Sequence, residues 1–402
     1  MKSTRRPSLL TVGLTVALVI AASGSSAAAP RVRANNKLTK RPIPIMGTGT
    51  FSGPTQAFPQ MKVGIQSAVD AINASGGING HPLQLTLCND QDNPDVAQSC
   101  GQQAVSRHDV AVVTADDPND ATLIPILQAA HIPFIGGITM TKQDATSPIS
   151  FPGAPGGYNG NGADAVAAKA AGCKRVVTVT VIVPGATKTI EDTALSGLRL
   201  ARIPNLKLMN VSLSATNFAP VVETATVLHA NCMVAIVAEN ETTAVIAQAH
   251  QTAPGLKLLV ASVNTAPLNT IASIDHSTYM FAFSSVPGEI HGPAGLKIIN
   301  RDVAKYGGGG AMNPTTYGGF AAVLLLKDAL VKIHGAYTAK SVLAAMDHLT
   351  NAPTDGVYPP YTTSKPTGVP GENREFNPDA ITLKLEGSHA VPVSSFEPIP
   401  GI

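Results

Sequence analysis

Three aspartates crowd one short stretch, Ala115-Asp116-Asp117-Pro118-Asn119-Asp120, immediately after the apolar run Val110 to Thr114. Paired carboxyls can act as acid and base in glycoside hydrolysis. That chemistry needs them on opposed faces of the substrate, which neighbours in one loop do not supply. Two roles stay open. Asp117, ahead of Pro118, or Asp120 can cap the helix that follows, and Asp116 and Asp117 can accept hydrogen bonds from a solute. A second suggestive stretch, Gly47-Thr48-Gly49-Thr50-Phe51-Ser52-Gly53, also follows a strand. It resembles a dinucleotide fingerprint but puts its third glycine at the wrong spacing, and the acidic residue about 20 positions on, Asp70, falls inside a helical pattern. The chain has no Gly-x-Ser-x-Gly elbow, no zinc signature and no phosphate loop, so the sequence predicts neither an enzyme nor a bound metal or cofactor.

Composition narrows the class. A formal charge of +2, 13% charged residues and no tryptophan argue against a nucleic-acid groove. The first 29 residues read as a secretory signal: Lys2, Arg5 and Arg6, an apolar run from Leu9 to Ala22, then small residues to a cleavage site near Ala28 to Ala29. The run is too short to span a bilayer. Arg5-Arg6 leaves twin-arginine export open beside the general route, and no cysteine near the cleavage site offers a lipid anchor. Residues 30–41, rich in Arg and Lys, read as a disordered leader. The exported protein is expected in the periplasm or outside the cell, as a monomer.

Four cysteines in an exported chain should pair, in one of three ways. Position favours Cys88 with Cys100 and Cys173 with Cys232, since Cys173 and Cys232 each precede an apolar run and neighbouring strands would bring them together.

The elements that must position these residues alternate. Strands are expected at about 43–46, 83–87, 110–114 and 132–135, with helices at 56–74, 95–107 and 120–130. Met61, Ile65, Ala68, Val69 and Ile72 show the helical spacing. A Pro/Gly-rich stretch at 147–162 reads as a crossover. A second series follows: helices at 162–171, 188–201, 218–229 and 241–252, and strands at 175–183, 207–213, 233–238, 257–261 and 279–283. Helices at 290–305, 315–334 and 338–349 then return to the first unit, and 381–385 is a late strand. The expected fold is α/β, with two doubly wound parallel-sheet lobes: 42–157 with 286–349, and 158–285 with 350–402.

Several runs resemble the periplasmic leucine/isoleucine/valine-binding proteins: Ile43-Pro44-Ile45-Met46-Gly47, Phe51-Ser52-Gly53-Pro54, Asn73-Ala74-Ser75-Gly76-Gly77-Ile78-Asn79-Gly80, Ile132-Pro133-Phe134-Ile135 and Thr316-Tyr317-Gly318-Gly319-Phe320. The resemblance runs in order from about residue 42 to 398. It implies a type I periplasmic-binding fold with three hinge crossings, closing on a solute at the carboxyl ends of the strands.

The resemblance also nominates site residues. Thr50, Phe51 and Ser52 lie in the first loop, and Phe58 either covers the ligand or packs in the core. Thr139 and Thr141 stand where relatives touch the solute with a hydroxyl, beside Met140 as an apolar wall. Gly185 lies in a loop where relatives often carry an aromatic and this chain has none. Glu239 and Asn240 follow the strand at 233–238. Glu239 either accepts from a cationic or hydroxylated solute or starts a helix favourably. Asn264 follows the strand at 257–261. At Asp116 and Asp117 relatives tend to have small hydroxyl residues that donate to the ligand carboxylate. A carboxylate about 4 Å from either aspartate would be repelled by roughly 4 kcal/mol at an effective dielectric near 20. The expectation is therefore a receptor that delivers a small polar solute, amino-acid-like, amide or related, to an ABC permease, with poor affinity for leucine, isoleucine and valine. A sensing receptor of the same fold, acting with a membrane signalling partner, is the alternative.

Overall fold

Side chains along a strand point alternately to the two faces of its sheet, so a strand apolar on both faces must be covered by helices on both. The computed structural model describes residues 38–54, 57–156, 162–182, 187–212, 214–262, 265–275, 277–284, 294–308, 312–366, 372–387 and 389–401; for Thr189, Glu239, Asn240 and residues 265–267 it describes the backbone alone. The leader signal and its cleavage site lie outside these residues. In β1 (Ile43–Gly49), Ile43 and Ile45 enter one core and Met46 a second on the opposite face; in β3 (Val112–Thr114), Val113 and Val112 divide the same way.

The first sheet also contains β2 (Leu83–Asn89), β4 (Phe134–Gly136) and β5 (Ser150–Phe151), in the order β2-β1-β3-β4-β5, and every pairing is parallel. Between these strands run α1 (Pro59–Ala74), α2 (Pro94–Ser106), α3 (Asp120–Ala129) and α4 (Lys142–Thr146). The chain then crosses to a second series: α5 (Ala163–Ala170), β6 (Val176–Ile182), α6 (Thr187–Leu200), β7 (Asn205–Ser212), α7 (Ala219–Val227), β8 (Cys232–Ile236), α8 (Glu239–Thr252), β9 (Lys257–Ala261), α9 (Thr265–Ile274) and β10 (Tyr279–Ala282). It returns to the first core with α10 (Ala294–Tyr306), α11 (Pro314–Val331) and α12 (Ala339–Met346), and crosses a last time into β11 (Asp379–Glu386), β12 (His389–Pro392) and β13 (Glu397–Pro398). The second sheet runs β12-β11-β10-β9-β8-β6-β7, with β13 on β11.

Four findings revise the sequence reading. The second sheet is mixed: β6 to β10 are parallel, but β11 pairs antiparallel with β10, β12 and β13, because the last crossing enters the sheet from the opposite end. Residues 350–376, expected in the second lobe, bury Ala352, Val357, Tyr358, Tyr361 and Phe376 in the first core. Residues 38–41, expected as the end of a disordered leader, are held on the turn at 76–81, where Lys40 N–H donates to Gly80 O and Arg41 O lies 2.7 Å from His81 Nδ1. Finally, α4, β5 and α9 had no counterpart. In α9, Leu268, Ile271 and Ala272 are buried at helical spacing, a face too short to stand out beside Pro267 and Asn269.

Both disulfides are formed. Cys88–Cys100 ties β2 to α2, and Cys173–Cys232 ties the turn before β6 to β8. No helix among the described residues is long and apolar enough to cross a membrane.

Candidate functional site

A doubly wound sheet leaves a crevice beyond the carboxyl ends of its strands, where neighbouring connections depart in opposite directions. In the first sheet this falls between β1 and β3, and in the second between β6 and β8. The residues just past β3 (Ala115, Asp116), β4 (Ile138), β8 (Val237), β9 (Ser262) and β10 (Phe283, Ser284) line one cavity of about 300 Å³ between the two sheets. Phe58, Pro314, Thr315 and Tyr358 complete the wall on the first side, Thr242 and Phe281 on the second. Four aromatic rings thus face a space edged by hydroxyls and one carboxyl. Phe283 packs against the cores on both sides, at the second crossing.

Behind Asp116 lies a buried acidic network. Asp90 is fully buried and accepts from Asn119 Nδ2 at 3.0 Å and from Asp92 N at 2.9 Å. Asp117 Oδ1 accepts from Asn119 N at 3.1 Å, an Asx turn. Burial pushes the Asp117 carboxyl well above the usual carboxylate range, and the negative charge of Asp90 adds to this. Asp120 and Asp144 form the second pair. Burial raises both, and the negative charge of Asp144 beside it raises Asp120 further. Thr141 Oγ1 donates to Asp120 at 2.6 Å, and Asp144 Oδ2 accepts from Met140 N at 2.9 Å.

Asp116 is the member that lines the cavity. Its Oδ1 is buried without a hydrogen-bond partner, and its carboxyl is pushed up to about 7, first by burial and then by the negative charges of Asp144 and Asp90. Among the described residues no group of His, Cys, Asp and Glu is arranged to hold a metal ion. Tyr358, buried beside Asp116, is held a neutral phenol by burial and by that negative charge.

The sequence nominated more residues than the cavity uses. Asp116 and Phe58 line it. Asp117 faces the network, and α3 is capped by neither Asp117 nor Asp120: Asn119 holds the N-cap position and Asp120 is the first helical residue. Thr139 is fully buried and donates to Glu375 Oε2, while Thr141 joins Asp120 and Met140 lies half-buried between them. Thr50 is buried, Phe51 belongs to the first core and Ser52 is exposed, bonded to Asn89. Gly185 and Asn264 lie outside the described residues, as do the side chains of Glu239 and Asn240.

The sequence missed Glu241, whose buried carboxylate accepts from Ala238 N at 3.0 Å and Ala215 N at 3.2 Å and so anchors the start of α8. It also missed the aromatics of the second wall. Their signal was present: Phe283 and Ser284 follow a strand, where ligands of doubly wound sheets gather. Tyr358 gave none, since it reaches the cavity from a Pro-rich tail.

A family model described as periplasmic binding protein matches residues 42–374. The chain belongs to this family. Solved structures of similar fold span nearly the whole of it. The leucine-, isoleucine-, valine-, threonine- and alanine-binding protein of Brucella ovis, in a closed conformation, superposes with a TM-score of 0.72 at 12% identity, over 90% of this chain and 96% of its own. The branched-chain amino acid transporter substrate binding protein of Streptococcus pneumoniae, in complex with isoleucine, gives 0.69 at 17% identity, over 89% and 99%. An ABC transporter solute binding protein of R. palustris, in complex with 4-hydroxybenzoate, gives 0.68 at 17% identity, over 90% and 98%. No curated protein matches by sequence. At such identities the likeness to a periplasmic binding protein is one of fold, and the contents of the cleft must be argued from its own side chains.

Proposed function

We propose that this periplasmic binding protein is an exported, non-enzymatic receptor that encloses a small solute between its two lobes and delivers it to an ABC permease. The observation that carries this reading is the cavity of about 300 Å³ lined by strand ends of both sheets. A solute touching both walls favours the closed arrangement by its differential contacts there, and hinge crossings allow the lobes to move as bodies. Solved relatives of this fold supply the precedent for transport, with amino acids or small aromatic acids as their ligands. This chain's cleft places an acidic side chain among aromatic rings, so branched-chain amino acids are expected to bind weakly or not at all.

A thermal-shift panel of amino acids, amides, amines, polyols and aromatic acids tests the reading, repeated on Ala115→Trp to fill the cavity. A solute that stabilises the protein and loses its effect in the filled variant supports it. Stabilisation that survives the filling places the solute elsewhere and removes the cleft from consideration. Co-purification with an ABC permease would separate transport from sensing.

A further inference from the structure

We infer that the cleft selects an organic cation, its ammonium group seated against Asp116 and its carbon skeleton among Phe58, Phe281, Phe283 and Tyr358. The inference rests on the cleft being the solute site and names the class of solute.

Charge gives the first argument. Among the described lining residues there is no Arg, Lys or His, and Asp116 is the one ionisable carboxyl. A ligand carboxylate therefore finds no counter-charge among the described lining residues. Placed about 4 Å from an ionised Asp116 at an effective dielectric near 20, it would lose more than a hundredfold in affinity. The charges acting on Asp116 from behind, Asp144 and Asp90, have the same sign. They disfavour an anion and favour a cation.

Hydrogen bonding gives the second. Asp116 Oδ1 is buried with no hydrogen-bond donor among the described residues; Asp117 Oδ2 behind it is likewise unpartnered, but of the two only Asp116 lines the cavity, within a solute's reach. A buried acceptor left unsatisfied is unfavourable, and an ammonium N–H relieves it while stabilising the ionised carboxylate. The cation thus displaces the proton that Asp116 otherwise holds in part near neutral pH. The third argument is the wall itself. Aromatic faces attract a desolvated cation through their quadrupoles, and the hydroxyls of Ser262, Ser284, Thr242 and Thr315 along the same cavity can accept further N–H bonds. The one competing arrangement is a protonated Asp116 donating to an aromatic carboxylate.

Titration calorimetry of the mature protein at pH 8 with benzylamine, benzyltrimethylammonium, benzyl alcohol and benzoate decides between them. Both cations are expected to bind at least tenfold more tightly than the alcohol, and benzoate more weakly than the alcohol. Asp116→Asn should bring the cation-to-alcohol ratio near one, and Phe283→Leu should lower it in a protein whose Asp116 is intact. Benzoate binding as tightly as the cations overturns the inference, as does a ratio unchanged in Asp116→Asn, or no binding of either cation at millimolar concentration. Stabilisation by other solutes at the cleft without a cation preference overturns this inference alone. Failure of every solute in the wider panel removes the receptor reading with it.

Discussion

Thr139 Oγ1 donates a 2.8 Å hydrogen bond to Glu375 Oε2, joining the loop after β4 to the segment that leads into the last crossing, with both residues fully buried. Asn377 reinforces the join by donating from Nδ2 to Gly153 O at 3.0 Å. A residue that the family pattern suggests for ligand contact is therefore a tie between chain segments. Thr139→Val removes the donor at nearly constant shape and leaves a buried carboxylate short of one partner. It should lower stability in urea unfolding by about 1–3 kcal/mol without changing solute affinity in proportion. A selective loss of solute binding with unchanged stability would return Thr139 to the ligand site.

Stability should fall as pH rises through the range of the buried carboxyls. Asp109, pushed up by burial to about 6 against the opposing charge of Arg107, and Asp116, pushed up to about 7, hold protons in the folded state that the unfolded chain has already released. When the folded state binds more protons, unfolding free energy decreases with pH. The stabilisation is complete below the unfolded value near 3.8 and is lost as pH rises through about 6 to 7. The thermal midpoint should be several degrees higher at pH 5 than at pH 8. Asp117→Asn keeps the Asx acceptor and removes an acid from beside Asp90, so it should raise the midpoint, more at pH 8 than at pH 5. A midpoint that rises with pH over this range contradicts the assignment.

The two disulfides should differ in weight. Cys173–Cys232 closes a separation of 59 residues and Cys88–Cys100 one of 12. On chain-entropy grounds the longer loop contributes about 1.4 kcal/mol more. Chemical unfolding of the two double-serine variants reads this directly. The Cys173→Ser/Cys232→Ser protein should be the less stable, and equal losses would show that the difference is not set by loop closure.

Close packing of α1 on α11 depends on Gly64, where a Cβ would stand 2.0 Å from Thr316 O. Gly319 on α11 faces back, its own Cβ position 2.7 Å from Met61 O. Gly64→Ala must push the helices apart and should cost about 3 kcal/mol or more. Gly255→Ala, with nothing within 4 Å of the added carbon, should be neutral or slightly stabilising. Comparing the two thermal midpoints separates steric clash from the general effect of replacing glycine.

The sequence alone determined much of the architecture, because local periodicity and chain order carry it. Met61, Ile65, Ala68, Val69 and Ile72 are spaced for one buried helical face, and all five are buried in α1. Adjacent strand starts put Cys173 and Cys232 together. The loop after β3 could likewise be singled out, since strand ends are where such sheets bind, and Asp116 does line the cavity. What the aspartates do was decided by tertiary contact. Asp116, Asp117 and Asp120 look alike in the chain, yet Asp117 meets Asp90, Asp120 meets Asp144, and only Asp116 is left to face the cleft. The far wall was equally hidden. Phe281 arrives on a strand of the second sheet and Phe283 just past its end, and Tyr358 through a tail that folds back into the first core. A side chain's partner across tens or hundreds of residues depends on how two sheets and their crossings pack, and no spacing along the chain encodes that distance.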